Sequence, residues 1–189
     1  MNRIIYVILI YIISSFIVNN AKASDTLNYK QNNNFFIDLY AGIQNSGIKK
    51  EDFVYSNFSP YLHISTGKYI NHSLAIAVGY QGTYFNYIGD NYKHKYYYLD
   101  AEFIINMNRL LRLYENDKWS IQVIAGTGIL KNYHMKKINW GLTTALLQEL
   151  VLNKNYSLKL KAGGIIGWSI YQHDKDILPN ISIGLSRKF

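Results

Sequence analysis

From residue 35 onward, apolar side chains recur at every second position in eight separate stretches. A period of two marks strands with one apolar face and one small or polar face. In the first stretch Phe35, Ile37, Leu39, Ala41 and Ile43 share a face, opposite Phe36, Asp38, Tyr40, Gly42 and Gln44. The second, about residues 60–69, sets Leu62 and Ile64 against Tyr61, His63, Ser65 and Gly67, and the third sets Ile76, Val78, Tyr80 and Tyr84 against Ala75, Ala77, Gly79 and Gln81. In the fourth, Leu99, Ala101 and Phe103 oppose Tyr98, Asp100 and Glu102; in the fifth, Ile121, Val123 and Ile129 oppose Ser120, Gln122, Gly126 and Gly128. The sixth, residues 139–150, is the weakest, with Trp140, Leu142 and Leu146 opposite Asn139, Gly141 and Thr143. The seventh places Leu158, Leu160 and Ala162 against Ser157, Lys159, Lys161 and Gly163, and the eighth places Ile181, Ile183, Leu185 and Phe189 against Ser182, Gly184, Ser186 and Lys188.

Two places carry a rival helical period: Leu142, Ala145, Leu146 and Glu149 in the sixth stretch, and Leu110, Leu111 and Tyr114 after the fourth. Six of the eight stretches fit only the period of two, so the reading is all strand. Longer connections at 45–59, 86–95, 131–138 and 169–178 alternate with tight turns at 70–72 and 152–155, with 108–118 as an overlong exception. Strands running up and down would sort loops and turns onto opposite ends, as in bacterial outer-membrane barrels. The expected fold is all-β: an eight-stranded antiparallel up-and-down transmembrane β-barrel over residues 34–189.

Residues 1–23 stand apart. Arg3, an apolar run from Ile4 to Val18 and Ala21-Lys22-Ala23 make a secretory signal peptide with cleavage expected after Ala23. Residues 24–33 then form a short periplasmic segment. The run is too short for a membrane anchor of about 20 apolar residues. The chain has no cysteine, so neither disulfides nor a lipid anchor are expected.

Period two does not say which face meets the core. A lipocalin turns its apolar face inward, a membrane barrel outward. Here the polar face is lined by Gly, Ser, Ala, Thr and Asn, which suits a narrow lumen, while the apolar face is flanked by Phe35, Tyr84, Tyr97, Trp119, Trp140, Tyr156, Trp168 and Phe189 at or near strand ends. Aromatic girdles belong at the two membrane interfaces. Charged residues are 17% of the 189, below the roughly 25% of soluble domains. The net charge of +8 falls to +6 once Arg3 and Lys22 are removed, and an exported envelope protein with that charge is not expected to meet nucleic acid.

With these features the chain resembles the small eight-stranded outer-membrane β-barrels, similar to the transmembrane domain of OmpA and to OmpX. The resemblance covers residues 34–189 and rests on the signal peptide, the strand count, the Gly-punctuated strands and the closing Ile181-Ser182-Ile183-Gly184-Leu185-Ser186-Arg187-Lys188-Phe189. Such a C-terminal strand, ending in Phe189, resembles the signal read by the outer-membrane barrel assembly machinery. Arg187 departs from that pattern, and snorkelling toward the headgroups would accommodate it. The expected state is a monomer set in outer-membrane lipid and lipopolysaccharide; the resemblance does not extend to a periplasmic peptidoglycan-binding domain.

An eight-stranded lumen is filled by its own side chains, so a nutrient pore is not expected. Strand parity points Asp38, His63, Asp100, Glu102, Gln122, Lys159, Lys161 and Lys188 inward, and charges in such a place should pair. Asp38 is expected to meet Lys188, because strands one and eight close the barrel, and Glu102 to meet Lys161. His63-Ile64-Ser65 resembles the His-x-Ser arrangement of lipid A deacylases, but the parity turns both residues toward the lumen, away from a lipid substrate. No catalytic, cofactor or metal site is expected; His72, His94, His134 and His173 fall in separate turns or loops without ligand spacing. Residues 131–138 carry a charge of +3, and Lys131, Lys136 and Lys137 are the candidates for lipopolysaccharide phosphates. The expected role is structural or surface-interacting (envelope integrity, lipopolysaccharide or adhesion contacts), ahead of a lipid A-modifying enzyme and a secreted lipocalin-like binder.

Overall fold

The computed structural model describes residues 35–46, 57–87, 92–111, 118–171 and 175–189. The expected signal peptide and the segment 24–33 lie outside them. These residues form strands β1 (Phe35–Asn45), β2 (Phe58–Tyr69), β3 (Leu74–Tyr87), β4 (Tyr92–Asn106), β5 (Trp119–Asn132), β6 (Lys137–Val151), β7 (Tyr156–Trp168) and β8 (Lys175–Lys188), with one turn of helix, α1 (Met107–Leu110), after β4. Each strand pairs antiparallel with the next, and β1 also pairs with β8, from Phe36 opposite Lys188 to Gln44 opposite Asn180, which closes the barrel. We call the end holding Phe35 and Phe189 the terminal end and the other the distal end.

Polarity is inverted relative to a soluble barrel. Leu146 and Ile183 are each 61% exposed on the outside, while Lys159 and Lys161 are 2% exposed inside. This outward apolar face excludes the lipocalin reading, in which the same residues would fill the core. Both rival helical windows resolve on physical grounds. Residues 142–149 lie within β6, with Leu142 and Leu146 outward and Ala145 and Glu149 inward, because the ladder to β5 and β7 satisfies the backbone on both sides. Leu110 does end one helical turn, capped by the Asn106 side chain accepting from the Arg109 N–H at 3.2 Å, while Tyr114 lies outside the described residues.

The tight turns share one device. Asn71 Oδ1 accepts from the Ser73 and Leu74 N–H groups, Asn153 Oδ1 from those of Asn155 and Tyr156, and Asn132 Oδ1 from those of His134 and Met135. An Asn side chain that mimics the backbone two and three residues on is a local reason for reversal at these sites.

Distal connections are shorter than the hydrophobic pattern suggests. β4 begins at Tyr92 and β8 at Lys175, so these links contract to residues 88–91, 133–136 and 169–174, and the loop–turn asymmetry is weaker than expected. The reason is that Lys93, Lys95 and Lys131 end the apolar alternation while the backbone ladder runs on to Tyr87 opposite Tyr92 and Asn132 opposite Lys137. A 15-residue strand such as β4, rising ~3.3 Å per residue at a tilt of ~40°, spans about 38 Å against an apolar band of about 25 Å. The strand is therefore longer than the band is thick.

Candidate functional site

The lumen is divided into two storeys, and most of its charges occupy the terminal one; Asp176, buried at the distal start of β8, accepts from the Tyr171 N–H at 2.8 Å. Inward positions on β1, β4, β6, β7 and β8 bring Asp38, Glu102, Glu149, Lys159, Lys161 and Lys188 together. Lys159 Nζ donates to Asp38 Oδ2 at 2.6 Å and Lys161 Nζ to Glu102 Oε1 at 2.9 Å, both pairs fully buried. Lys188 Nζ lies 3.0 Å from Glu149 Oε1 at the rim of the storey. Gln122 bridges Ser120 and Glu149, donating at 3.2 and 2.6 Å. The Tyr40 hydroxyl donates to Asp38 Oδ2 at 3.0 Å. Each lysine also sits over a ring: Lys159 over Phe36, Lys161 over Tyr40 and Lys188 over Tyr69, 5.0 to 5.6 Å from the centroids.

The expected Asp38–Lys188 pair does not form. In the closing register Lys188 is level with Phe36, whereas Asp38 lies opposite Ser186, one inward step higher. Lys159 and Tyr40 both lie opposite Gly184, whose missing side chain opens the path from β7 across β8 to Asp38. Glu149, which sequence reasoning passed over, takes Lys188 instead. Continuing the parity of Thr143 through Ala145 and Leu147 would have pointed it inward.

Glycines let large rings enter so narrow a space. A Cβ on Gly67 would sit 2.4 Å from the Phe36 ring, one on Gly184 2.3 Å from Tyr40, and one on Gly128 2.7 Å from Tyr98. These rings lie flat over bare backbone on the neighbouring strand.

The distal storey is aromatic. Phe85, Tyr96, Tyr98, Leu130, Ile165, Ile170, Tyr171 and Leu178 form one buried cluster. Its polar atoms are satisfied internally: the Tyr98 hydroxyl donates to the Gly141 carbonyl at 3.1 Å and accepts from Thr143 at 3.0 Å, while Tyr96 donates to Gln44 at 2.6 Å and accepts from Gln81 at 2.8 Å. His94, expected in a loop, lies on β4 within this storey, stacked on Phe85 and 4.4 Å from the ring of His134, with Nδ1 2.9 Å from Asn132 Nδ2. His72 is in the β2–β3 turn, and His173 lies outside the described residues.

Between the storeys, His63 from β2 reaches over Gly79 on β3 toward Asp100 on β4, Nε2 to Oδ1 3.7 Å. His63 and Ser65 are both buried on the lumen side, so this His-x-Ser pair does not face the lipid. One ligating atom each from His63, Asp100 and Glu102 lie within 4.8 Å of one another, a grouping the linear spacing did not reveal.

On the outer wall, Phe35, Trp119, Tyr156 and Phe189 are exposed at the terminal end, and Tyr80, Tyr133, Trp140 and Trp168 toward the distal end. Arg187 lies outward among the terminal rings, 4.8 Å from the Phe189 centroid and 5.9 Å from Tyr156. The Phe189 N–H donates to the Phe35 carbonyl at 2.9 Å, tying the chain's end to β1. Lys131 lies over Tyr133 at 5.2 Å; Lys136, in the β5–β6 turn with φ 54°, and Lys137 are exposed. Sequence reasoning missed two further lysines of this rim: exposed Lys93, over Tyr84 at 5.0 Å, and exposed Lys95, diagonal to Lys131 across the Tyr97–Lys131 register pair.

A closed eight-stranded up-and-down barrel with an apolar outer band, aromatic girdles and a charged, filled lumen is a small transmembrane β-barrel of the outer-membrane type. Solved structures agree on the fold. The chain is similar to the crystal structure of Neisserial surface protein A, at 16% identity over 82% of this chain and 97% of that one, with a TM-score of 0.61. It is also similar to the N-terminal β-barrel domain of Pseudomonas aeruginosa OprF, at 10% identity over 83% and 99%, with a TM-score of 0.50. No protein-family model and no curated protein matches the chain.

Proposed function

We propose that the protein is a monomeric outer-membrane barrel with a structural or surface-interaction role. It is exported by a signal peptide cleaved after Ala23 and inserted by assembly machinery that reads the strand ending in Phe189. One observation carries this reading: the apolar surface is outside, and the lumen is filled from Asp38 and Lys159 up to the Phe85 and Tyr98 cluster. A filled lumen fits a rigid membrane anchor for the distal loops and does not fit a diffusion pore. The basic and aromatic distal rim of Lys93, Lys95, Lys131, Lys136 and Lys137 suits contact with lipopolysaccharide phosphates, since cations beside an anionic leaflet are attracted within a Debye length. The lumen-facing His63 and Ser65 favour this role over action on lipid A, because a lipid acyl chain lies on the other side of the wall.

Membrane fractionation followed by gel electrophoresis with and without boiling tests the proposal. A heat-modifiable band in the outer-membrane fraction supports it. A soluble periplasmic protein whose migration ignores heating overturns it, and lipid A whose mass changes on expression but not with His63→Ala would reinstate the enzyme.

A further inference from the structure

Among the four acids of the terminal storey and the level just above it, Asp100 is the one without a lysine beside it in the described residues. Asp38, Glu102 and Glu149 each have an ammonium partner; Asp100 faces His63 instead, and its Oδ1 makes no hydrogen bond. Neither ring nitrogen of His63 makes one either, although the residue is 1% exposed. An uncompensated carboxylate beside an unsatisfied imidazole is a costly arrangement in a protein interior.

We propose that His63, Asp100 and Glu102 form a binding site for a divalent first-row metal ion such as zinc. Imidazole nitrogen with two carboxylates is a donor set for such ions. Two ligand atoms on one tetrahedral zinc stand roughly 3.4 Å apart, given bonds of about 2.1 Å. The His63–Asp100 separation of 3.7 Å is already close to that, and Glu102 has its ligand atom within 4.8 Å. The rest of the site is built to hold these groups. Tyr40 stacks on the His63 ring at 5.6 Å and 18°, Tyr61 flanks it at 6.3 Å, and Lys161 fixes Glu102 through Oε1. Gly79 supplies the room: a Cβ there would lie 2.3 Å from both His63 Nε2 and Asp100 Oδ1. All three residues are buried, so the test loads the ion while the barrel closes.

The test uses the untagged protein, unfolded with chelator and refolded in detergent with cobalt(II) as a spectroscopic stand-in for zinc. Wild type is expected to retain one cobalt per chain through desalting, to show the visible absorption of a low-coordinate site, and to release the cobalt to zinc. His63→Asn and Asp100→Asn, each confirmed as folded by heat-modifiable migration, are expected to bind at least about tenfold more weakly. A readout that needs no variant is the urea midpoint of wild type, which zinc should raise because it binds the folded state. Wild type that retains no cobalt and shows no zinc-dependent midpoint overturns the proposal. So do variants that hold cobalt as wild type does, which would move the ion elsewhere, for instance to His94 and His134.

Discussion

The two storeys of the lumen solve one packing problem with different chemistry: both hold rings, but the ion pairs belong to the terminal one. In the terminal storey a cluster of Phe36, Tyr40, Ile104, Ile124 and Leu147 shares the space with charges that tie together strands sharing no ladder: Lys159 on β7 reaches Asp38 on β1, Lys161 on β7 reaches Glu102 on β4, and Lys188 on β8 reaches Glu149 on β6. In the distal storey the fillers are rings and branched aliphatics, with hydroxyls that bond backbone or amide groups. The charged storey surrounds the barrel's closing seam. A register slip of one residue would turn Asp38 or Lys159 toward lipid, where a bare charge is far more costly than a misplaced ring. The ion pairs thus act chiefly against wrong closure, whereas the aromatic storey contributes contact area that tolerates small errors. Inward charges as a device for fixing one structure are attested elsewhere, though not universal.

Lys159→Ala is the sharpest way to break this contrast. It leaves Asp38 buried with only the Tyr40 hydroxyl beside it, and a loss of about 3–5 kcal/mol is expected for an unpaired buried charge. Urea unfolding in detergent or bilayers reads it. Adding Asp38→Asn to Lys159→Met should restore at least about half of the loss, because removing both charges of a buried pair is often near neutral. A single-mutant loss below about 1 kcal/mol would put the charged storey on the same footing as a surface.

Gly128→Ala probes the distal storey by overpacking. The new Cβ would lie 2.7 Å from the Tyr98 ring and 2.2 Å from the Leu99 carbonyl, so the ring or the strand must shift. A loss of about 1–3 kcal/mol in the same unfolding assay is expected. Tyr98→Phe is milder. It keeps the ring and removes only the hydroxyl between Gly141 and Thr143, at a cost of about 1 kcal/mol. If Tyr98→Phe were as damaging as Lys159→Ala, the distal storey would owe its stability to polar bonds and the contrast would collapse.

How much of this was legible in the sequence differs between the storeys for a physical reason. Parity tells which face a side chain takes, and it turned Asp38, His63, Glu102 and Lys159 inward. Parity carries no information about height in the barrel, which depends on register between distant strands. That is why Lys188 was assigned to Asp38: the seam places it opposite Phe36 instead. The same blindness hid the cluster of His63, Asp100 and Glu102, assembled from β2 and β4 over a glycine of β3. The distal storey was less legible because its strands run past the apolar alternation. Tyr92, Lys93 and Lys95 read as loop residues by composition, yet the backbone ladder pairs them with Tyr87, Asn86 and Tyr84.

The smallest stability effect belongs to the outer rim, and it separates filling from contact. Lys93 and Lys131 lie outside the wall over Tyr84 and Tyr133, and Lys131 is diagonal to Lys95 through the Tyr97 register pair. None of these contacts seals the lumen, so Lys93→Ala combined with Lys131→Ala should change unfolding stability by no more than about 0.5 kcal/mol, the range of exposed surface substitutions. The lipid partner is where the loss should appear. Near an anionic surface each Lys contributes about 1 kcal/mol, so removing two should weaken preference for lipopolysaccharide over neutral phosphatidylcholine by about tenfold or more at low salt, and by less as salt is raised. Partitioning of the refolded protein between bilayers of the two compositions measures this. A double variant with unchanged preference would leave the rim as solvated basic surface. A double variant that lost stability would make it a third structural storey, with the tyrosines rather than the lysines setting its strength.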